Sequence, residues 1–278
     1  MSLILLTSIS GAPGVSTTAL GLTLAWPDSS LLVETDSHQA VLAGHLRAQE
    51  PPEPNLSTVA TAAQRSGDLR SLMWERIVRP LPEDTEANRR MYLPGPPTPW
   101  ARAAVEARWS TIAPALDHLG DAGIDTVVDL GRLMPPTTPT PLLIAEPLLT
   151  TAAMVLVMLE PTLPSIAAAR VMCEGLRDQS SRVGLGERLA LVIRRPAPAG
   201  RPRRAAGGPA FSDKEIEKTL GLPVKGSVAH DPMGASWLSA GITAPRSYSK
   251  TMLARSMVSL AKNLHGQAHY LREDIDHE

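Results

Sequence analysis

The sequence predicts a three-layer α/β/α fold with a mostly parallel central sheet. Short apolar runs alternate along the chain with longer stretches whose apolar residues recur at helical spacing. Strands that are buried on both faces are continuous apolar runs, and the helices between them cover the two faces of a parallel sheet. The 278 residues, 43% of them hydrophobic, are enough for one large core, so we expect a single domain over residues 1–278.

Seven strands and seven helices are predicted along the chain. The strands are expected at residues 3–9, 31–34, 91–93, 126–130, 154–159, 189–193 and 224–228. The helices are expected at residues 17–25, 39–46, 58–65, 101–119, 165–177, 213–220 and 250–264. Three segments rich in proline are predicted to be loops: residues 50–55, 94–99 and 196–209.

Composition and charge exclude several classes of protein. Lys and Arg number 27 and Asp and Glu number 28, so no global field attracts DNA or anionic lipid. The single cysteine, Cys173, excludes a disulfide framework and a cysteine-based zinc site. The longest apolar stretch, residues 142–159, contains Glu146 and Pro147 and falls short of a clean membrane span. We therefore expect a cytoplasmic protein without a transmembrane segment.

The first predicted strand leads into the most informative segment of the chain. Its sequence is Ser8-Ile9-Ser10-Gly11-Ala12-Pro13-Gly14-Val15-Ser16-Thr17-Thr18, a strand followed by a glycine-containing turn that opens a helix. The backbone N–H groups of such a turn and the helix N-terminus together form an anion site. A phosphate-binding loop also places a lysine directly before its Ser or Thr, and here that residue is Val15.

This turn resembles the deviant Walker A motif of the MinD/ParA family of P-loop ATPases, which has the pattern Lys-Gly-Gly-x-Gly-Lys-Thr-Thr. By this resemblance, Ser10 stands in place of the family's signature lysine and Val15 in place of its phosphate-binding lysine. Ser16 falls on the magnesium-binding position. The nucleotide-binding residues that the resemblance implies in the loop are Ser10, Gly11, Ala12, Pro13, Gly14, Val15, Ser16 and Thr17.

Other segments resemble the family's motifs in the same order, over nearly the whole chain. Residues 32–39 resemble the second strand and its acidic segment, and Asp36 matches the residue that activates water and takes part in switching. Residues 125–131 resemble the Walker B strand, which places Asp129 on magnesium. Residues 189–194 resemble the strand that leads to the adenine pocket, where the usual asparagine is replaced near Arg194. Residues 92–96 look most similar to the pilus-assembly branch of CpaE or TadZ type.

The resemblance implies a nucleotide switch that positions or regulates a partner assembly, as in partitioning, pilus assembly, secretion or cell division. ATP or ADP with magnesium is the implied cofactor, and its binding is expected to be weakened because both lysines are absent. Removing a cation that stabilises a transferring phosphoryl group strongly slows hydrolysis, so we expect a degenerate ATPase. Relatives form homodimers over ATP with the signature lysine across the interface, and Ser10 removes that lysine.

Two other functions stay open from the sequence. The first is a slow ATPase in which an arginine from residues 194–204, or from a partner, replaces the missing charge and Asp36 is the catalytic residue. The second is a DNA-binding partition protein that uses the arginines of the same loop: Arg194, Arg195, Arg201, Arg203 and Arg204. A solvated loop is the more common state of such a segment, so DNA is the less favoured partner.

Overall fold

The computed structural model describes residues 3–9, 14–48, 53–65, 68–74, 78–86, 88–132, 140–183, 185–196 and 211–275. Its strands form one sheet and are β1 (Leu3–Ser8), β2 (Ser29–Glu34), β3 (Arg79–Pro80), β4 (Arg90–Leu93), β5 (Ile124–Arg132), β6 (Met154–Leu159), β7 (Leu189–Pro196) and β8 (Val224–His230). The order across the sheet is β3-β4-β2-β5-β1-β6-β7-β8. Seven strands are parallel, and the short edge strand β3 is antiparallel to β4.

The predicted α/β fold is therefore confirmed, together with all seven predicted strands. The helices are α1 (Val15–Ala25), α2 (Leu56–Ala63), α3 (Leu69–Leu72), α4 (Pro99–Glu106), α5 (Trp109–Asp117), α6 (Thr140–Thr151), α7 (Leu163–Val183), α8 (Asp213–Leu220), α9 (Pro232–Ser239) and α10 (Met252–Ile275). A π-helical turn spans Val41–His45, and 3₁₀ turns span His118–Ala122, Gly186–Arg188 and Tyr248–Lys250.

Several helices differ from their predictions for local reasons. The single helix expected at residues 101–119 is divided into α4 and α5, and the Thr98 side chain caps α4 by accepting a hydrogen bond from the N–H of Ala101. The helix expected at residues 39–46 is a π-helical turn preceded by Gln39 at φ 48°. Helix α6 was missed because its apolar residues run directly into those of β6 and Pro147 lies inside it.

Alternate residues of each central strand supply the two cores of the three-layer structure. In β1, Leu3 and Leu5 pack into one apolar cluster, and Ile4 and Leu6 pack into the other. The first cluster includes residues of α2, α5, α6, α7 and α8, and the second includes residues of α1, α9 and α10. Cys173 is buried in the first cluster, as expected for a structural thiol.

The parallel arrangement brings the carboxyl ends of the strands to one edge of the sheet. The strand order reverses at β1, because β2 and β5 lie on one side of it and β6 to β8 lie on the other. Ligands of open α/β sheets bind in the crevice at such a switch point. Among the described helices, none is both long enough and apolar enough to cross a membrane.

A buried hydrogen bond joins the end of α1 to the start of β5. The indole Nε1 of Trp26 donates to Asp125 Oδ2 at 2.8 Å, and both residues are about 1% exposed. We expect Trp26→Phe to lower the free energy of unfolding by about 1–3 kcal/mol through loss of this bond to a buried carboxylate. Urea unfolding measures the change. The matched control is Trp109→Phe, because the buried Trp109 ring makes no hydrogen bond to any described residue. If both variants lose the same free energy of unfolding, this role of the indole N–H is wrong.

Candidate functional site

The N-terminus of α1 lies at the carboxyl edge of the central strand. β1 ends at Ser8, and Gly14 precedes α1 in the left-handed conformation, with φ 87° and ψ 38°. A side chain at this position would be strained, so the glycine is required by the turn. The first N–H groups of α1 have no partners within the helix and favour an anion. The loop residues that lie outside the described residues are Ser10, Gly11, Ala12 and Pro13.

Val15 contributes to the core instead of offering a charge. Its side chain is 6% exposed and packs in the cluster that also contains Leu6 and Leu20. The residue at the position of the family's phosphate-binding lysine is thus an apolar packing residue. Any positive charge at this site must come from another part of the chain or from a partner.

Ser16 and Asp129 lie together beside the N-terminus of α1. Asp129 is 1% exposed, and its Oδ1 accepts a hydrogen bond of 3.0 Å from the N–H of Gly131. Burial raises the pKa of Asp129 to about 6, against the lowering effect of the Ser16 hydroxyl and the Gly131 N–H. The other oxygen, Oδ2, is buried and has no hydrogen-bond partner among the described residues.

An unpartnered buried carboxylate oxygen is costly unless a donor or a cation meets it. Within the described residues, no group of three or more His, Cys, Asp or Glu side chains is placed to hold a metal ion. Magnesium in nucleotide sites takes only one or two protein ligands and completes its shell with water and phosphate oxygens. Asp129 and Ser16 therefore fit a magnesium ion that arrives with a nucleotide.

Asp36 lies next to Ser16 and Asp129, and its carboxylate contacts the side chains of His38 and Arg102. Its Oδ1 is 2.8 Å from Nδ1 of His38 and 3.4 Å from Nη1 of Arg102. Burial works to raise the pKa of Asp36, but the hydrogen bonds from His38 and the Arg102 guanidinium outweigh it and hold the pKa below its usual range. A Cβ atom on Gly131 would lie 3.2 Å from Asp36 Oδ2, so Asp36 sits against the turn that follows Asp129.

Glu34 is a buried part of the site that the sequence did not identify. It is fully buried, accepts a hydrogen bond of 2.5 Å from the Tyr92 hydroxyl, and accepts another of 2.9 Å from the N–H of Val41. Burial raises the pKa of Glu34 to about 7, and the charges of Asp129 and Asp36 add to the effect. By holding Val41, Glu34 ties the segment that follows Asp36 to the end of β2.

The predicted site residues are thus only partly brought together. Ser16, Asp36 and Asp129 converge at the carboxyl edge, as the sequence indicated. Arg194 lies on β7, two strands from β1, where its Nη2 is 2.6 Å from Oε1 of Glu160. Arg195 is paired with Asp213 at 2.5 Å, and Arg201, Arg203 and Arg204 lie outside the described residues.

Glu34, Tyr92 and Arg102 were missed for different reasons. Glu34 is the last residue of an apolar strand and lies two residues before Asp36. This position is a sequence signal for a buried acid that could have identified it. The roles of Tyr92 and Arg102 depend on β4 lying beside β2, and that adjacency is not encoded in any local pattern.

A cavity of about 400 Å³ opens beside Ser16 and Thr17. Its other walls are the π-helical turn, including Val41 and Gly44, and the end of α9, including Leu238. This volume is within the range of small-molecule sites. The cavity therefore leaves open space beside Ser16 and Thr17 at the start of α1.

In comparisons with known proteins, no family model and no curated protein matches the sequence. Solved structures do match. A ParA family ATPase from Chlorobium tepidum is 17% identical, with a TM-score of 0.64 over 94% of this chain and 98% of that chain. A chain of the MinC:MinD cell division complex of Aquifex aeolicus is 15% identical, with a TM-score of 0.66 over 96% of both chains.

An ATP complex of a McdA variant from Cyanothece is 14% identical, with a TM-score of 0.67 over 95% of this chain and 96% of that chain. This chain has the MinD/ParA fold. The fold predicted from the Gly11–Thr17 turn and its partner motifs is therefore correct, although identity is low throughout.

The raised pKa of Glu34 leads to a pH-dependent prediction. The folded-state pKa is about 7 and the ordinary value is 4.5, so the contribution of Glu34 to stability is complete below pH 4.5 and is lost as the pH rises through 7. Glu34→Gln removes this dependence. Between pH 5 and pH 8, wild type should lose up to about 3 kcal/mol of stability relative to Glu34→Gln. Urea unfolding across this range tests it, and parallel pH profiles for the two proteins would contradict it.

Proposed function

We propose that this chain is a degenerate nucleotide switch of the MinD/ParA type that positions or regulates a protein assembly. It binds ATP or ADP with magnesium at the carboxyl edge of the sheet, more weakly than a loop with both lysines would. It does not hydrolyse ATP efficiently. The observation that carries this proposal is the placement of Ser16 beside the buried Asp129, whose Oδ2 has no hydrogen-bond partner among the described residues, while Val15 is buried in the core.

The residues present divide into those that would hold the nucleotide and those that would sense it. The loop from Ser10 to Thr17 would surround the phosphates, and Ser16 and Asp129 would hold magnesium, which neutralises phosphate charge when it is bound. Asp36 stands beside them as an anion and is linked through His38 and Arg102 to the surface. Ligand binding next to Asp36 would change the balance of these contacts and so report the nucleotide state to a partner.

The solved neighbours support a protein partner. One of them is a complex of two cell division proteins, and another is a ParA family ATPase. We propose that this chain acts on a protein assembly in a comparable way and forms a homodimer at this edge. Ser10 cannot supply the cross-interface charge of a lysine, so the dimer would depend on other contacts.

Slow hydrolysis has one specific observation in its favour. Asp36, the candidate catalytic residue, lies beside the magnesium pair and has a lowered pKa, so it is an anion at neutral pH. DNA binding gains no such support from the described residues, because Arg194 and Arg195 are both paired with carboxylates. A partition role through DNA therefore ranks below a role through protein.

Calorimetric titration with Mg-ATP and Mg-ADP, with phosphate release followed in parallel, tests the proposal. We expect binding with little or no release. Release that disappears in Asp36→Ala would instead identify the chain as a slow ATPase. A complete lack of binding at millimolar nucleotide would overturn the nucleotide-switch proposal and leave the fold as an interaction scaffold.

A variant at position 15 tests whether a charge there increases the affinity for Mg-ATP. Val15→Lys restores a cation at the phosphate position, and one charge-assisted hydrogen bond should raise the affinity for Mg-ATP roughly 10- to 100-fold. Val15→Met is the matched control, because it lengthens the side chain without a charge. Equal affinities of the lysine and methionine variants would show that a charge at position 15 does not reach the nucleotide.

A further inference from the structure

The end of β5 contains an irregularity at the position of Arg132, whose side chain contacts Ile9 at the end of the first strand segment. Leu6 of β1 is paired with Asp129, but Ser8 is paired with Arg132, so β5 has one residue more than β1 in this interval. Gly131 accommodates the extra residue with φ 63°, and its carbonyl accepts a hydrogen bond of 3.1 Å from the Thr7 hydroxyl. Such bulges often turn a side chain towards an active site.

Arg132 is fixed at the point where the loop begins. Its Nε donates to the carbonyl of Ile9 at 3.3 Å, and Ile9 directly precedes the loop in the sequence. The side chain is exposed, so the guanidinium faces solvent at the carboxyl edge. Asp129, whose buried Oδ2 has no partner among the described residues, is three positions earlier on the same strand.

The charge of Arg132 is not neutralised within the described part of the chain. Arg102 pairs with Asp36 and Glu106, and Arg194 and Arg195 each pair with one carboxylate. Arg132 forms none of the ion pairs of the described residues, and only its Nε is used in a hydrogen bond there. Its two terminal nitrogens are free of such contacts, and a guanidinium fork suits two phosphate oxygens.

We propose that Arg132 binds the phosphate groups of the nucleotide and supplies the positive charge that Ser10 and Val15 lack. This inference rests on the proposed function, since it concerns the same nucleotide. The cation approaches from the end of β5, whereas a Walker lysine approaches from the start of α1. The buried Val15 is then compatible with an anion site, because the charge has moved to a neighbouring strand.

Affinity for Mg-ATP and Mg-ADP, measured calorimetrically on the full chain, tests the role of Arg132. Arg132→Gln keeps an N–H donor for the Ile9 carbonyl but removes the charge, and we expect it to weaken both affinities roughly 10- to 100-fold. Arg132→Lys keeps the charge but lacks the guanidinium fork, so its affinities should lie between those of Arg132→Gln and wild type. The dependence of affinity on salt should also become shallower in Arg132→Gln, which a purely structural role would not cause.

The control is Arg170→Gln, which removes an exposed arginine on α7 that pairs with Glu174 away from this edge; its affinities should equal those of wild type. If Arg132→Gln binds nucleotide with wild-type affinity, the proposed role of Arg132 is wrong and the proposed function is unaffected. Failure of wild type to bind nucleotide would overturn the proposed function and this inference together. If Arg132→Gln does not fold, Arg132→Met is the second variant, because it keeps an unbranched side chain and removes the charge; wild-type affinity in Arg132→Met would overturn the proposal.

Discussion

The buried carboxylate of Asp129 is the constraint on which the arrangement of this site depends. Placing it in the buried part of β5 is unfavourable unless its oxygens are met by donors or a cation. Gly131 meets one oxygen through its N–H, and the geometry of that turn requires a glycine at φ 63°. The same turn brings Asp36 alongside and shifts the register of β5 against β1. The turn that satisfies Asp129 thus also positions Asp36 and Arg132.

Ser16 and Asp129 lie together at the start of α1, and the residue between Gly14 and Ser16 is the apolar Val15. Val15 adds an apolar side chain to the cluster that packs α1 against the sheet. The Walker A pattern that this turn resembles has a lysine here, so this chain has a packing residue and no charge at that position. A hydrophobic side chain at this position stabilises the fold whether or not a ligand is present.

The fold was predictable because its signals are local. Apolar runs gave the seven parallel strands, and the turn that includes Gly14 and Ser16 gave the position of the site. The division between α4 and α5 and the π-helical turn were not predictable from periodicity. The backbone leaves the helical conformation at Arg108, and the N–H of Val41 at the start of the π-helical turn is bonded to Glu34, which lies on another element. Arg132 escaped notice because a one-residue bulge, invisible in sequence, determines where its side chain points.

Hydrogen–deuterium exchange with and without Mg-ATP tests most directly whether this edge of the sheet is a nucleotide site. The account predicts slower exchange in peptides that cover residues 14–18 and 34–41, because the helix N-terminus and the segment held by Glu34 both border the phosphates. Adenosine with magnesium is the control, since it lacks the phosphates and should leave residues 14–18 unchanged. Unaltered exchange in both segments at saturating Mg-ATP would contradict the account.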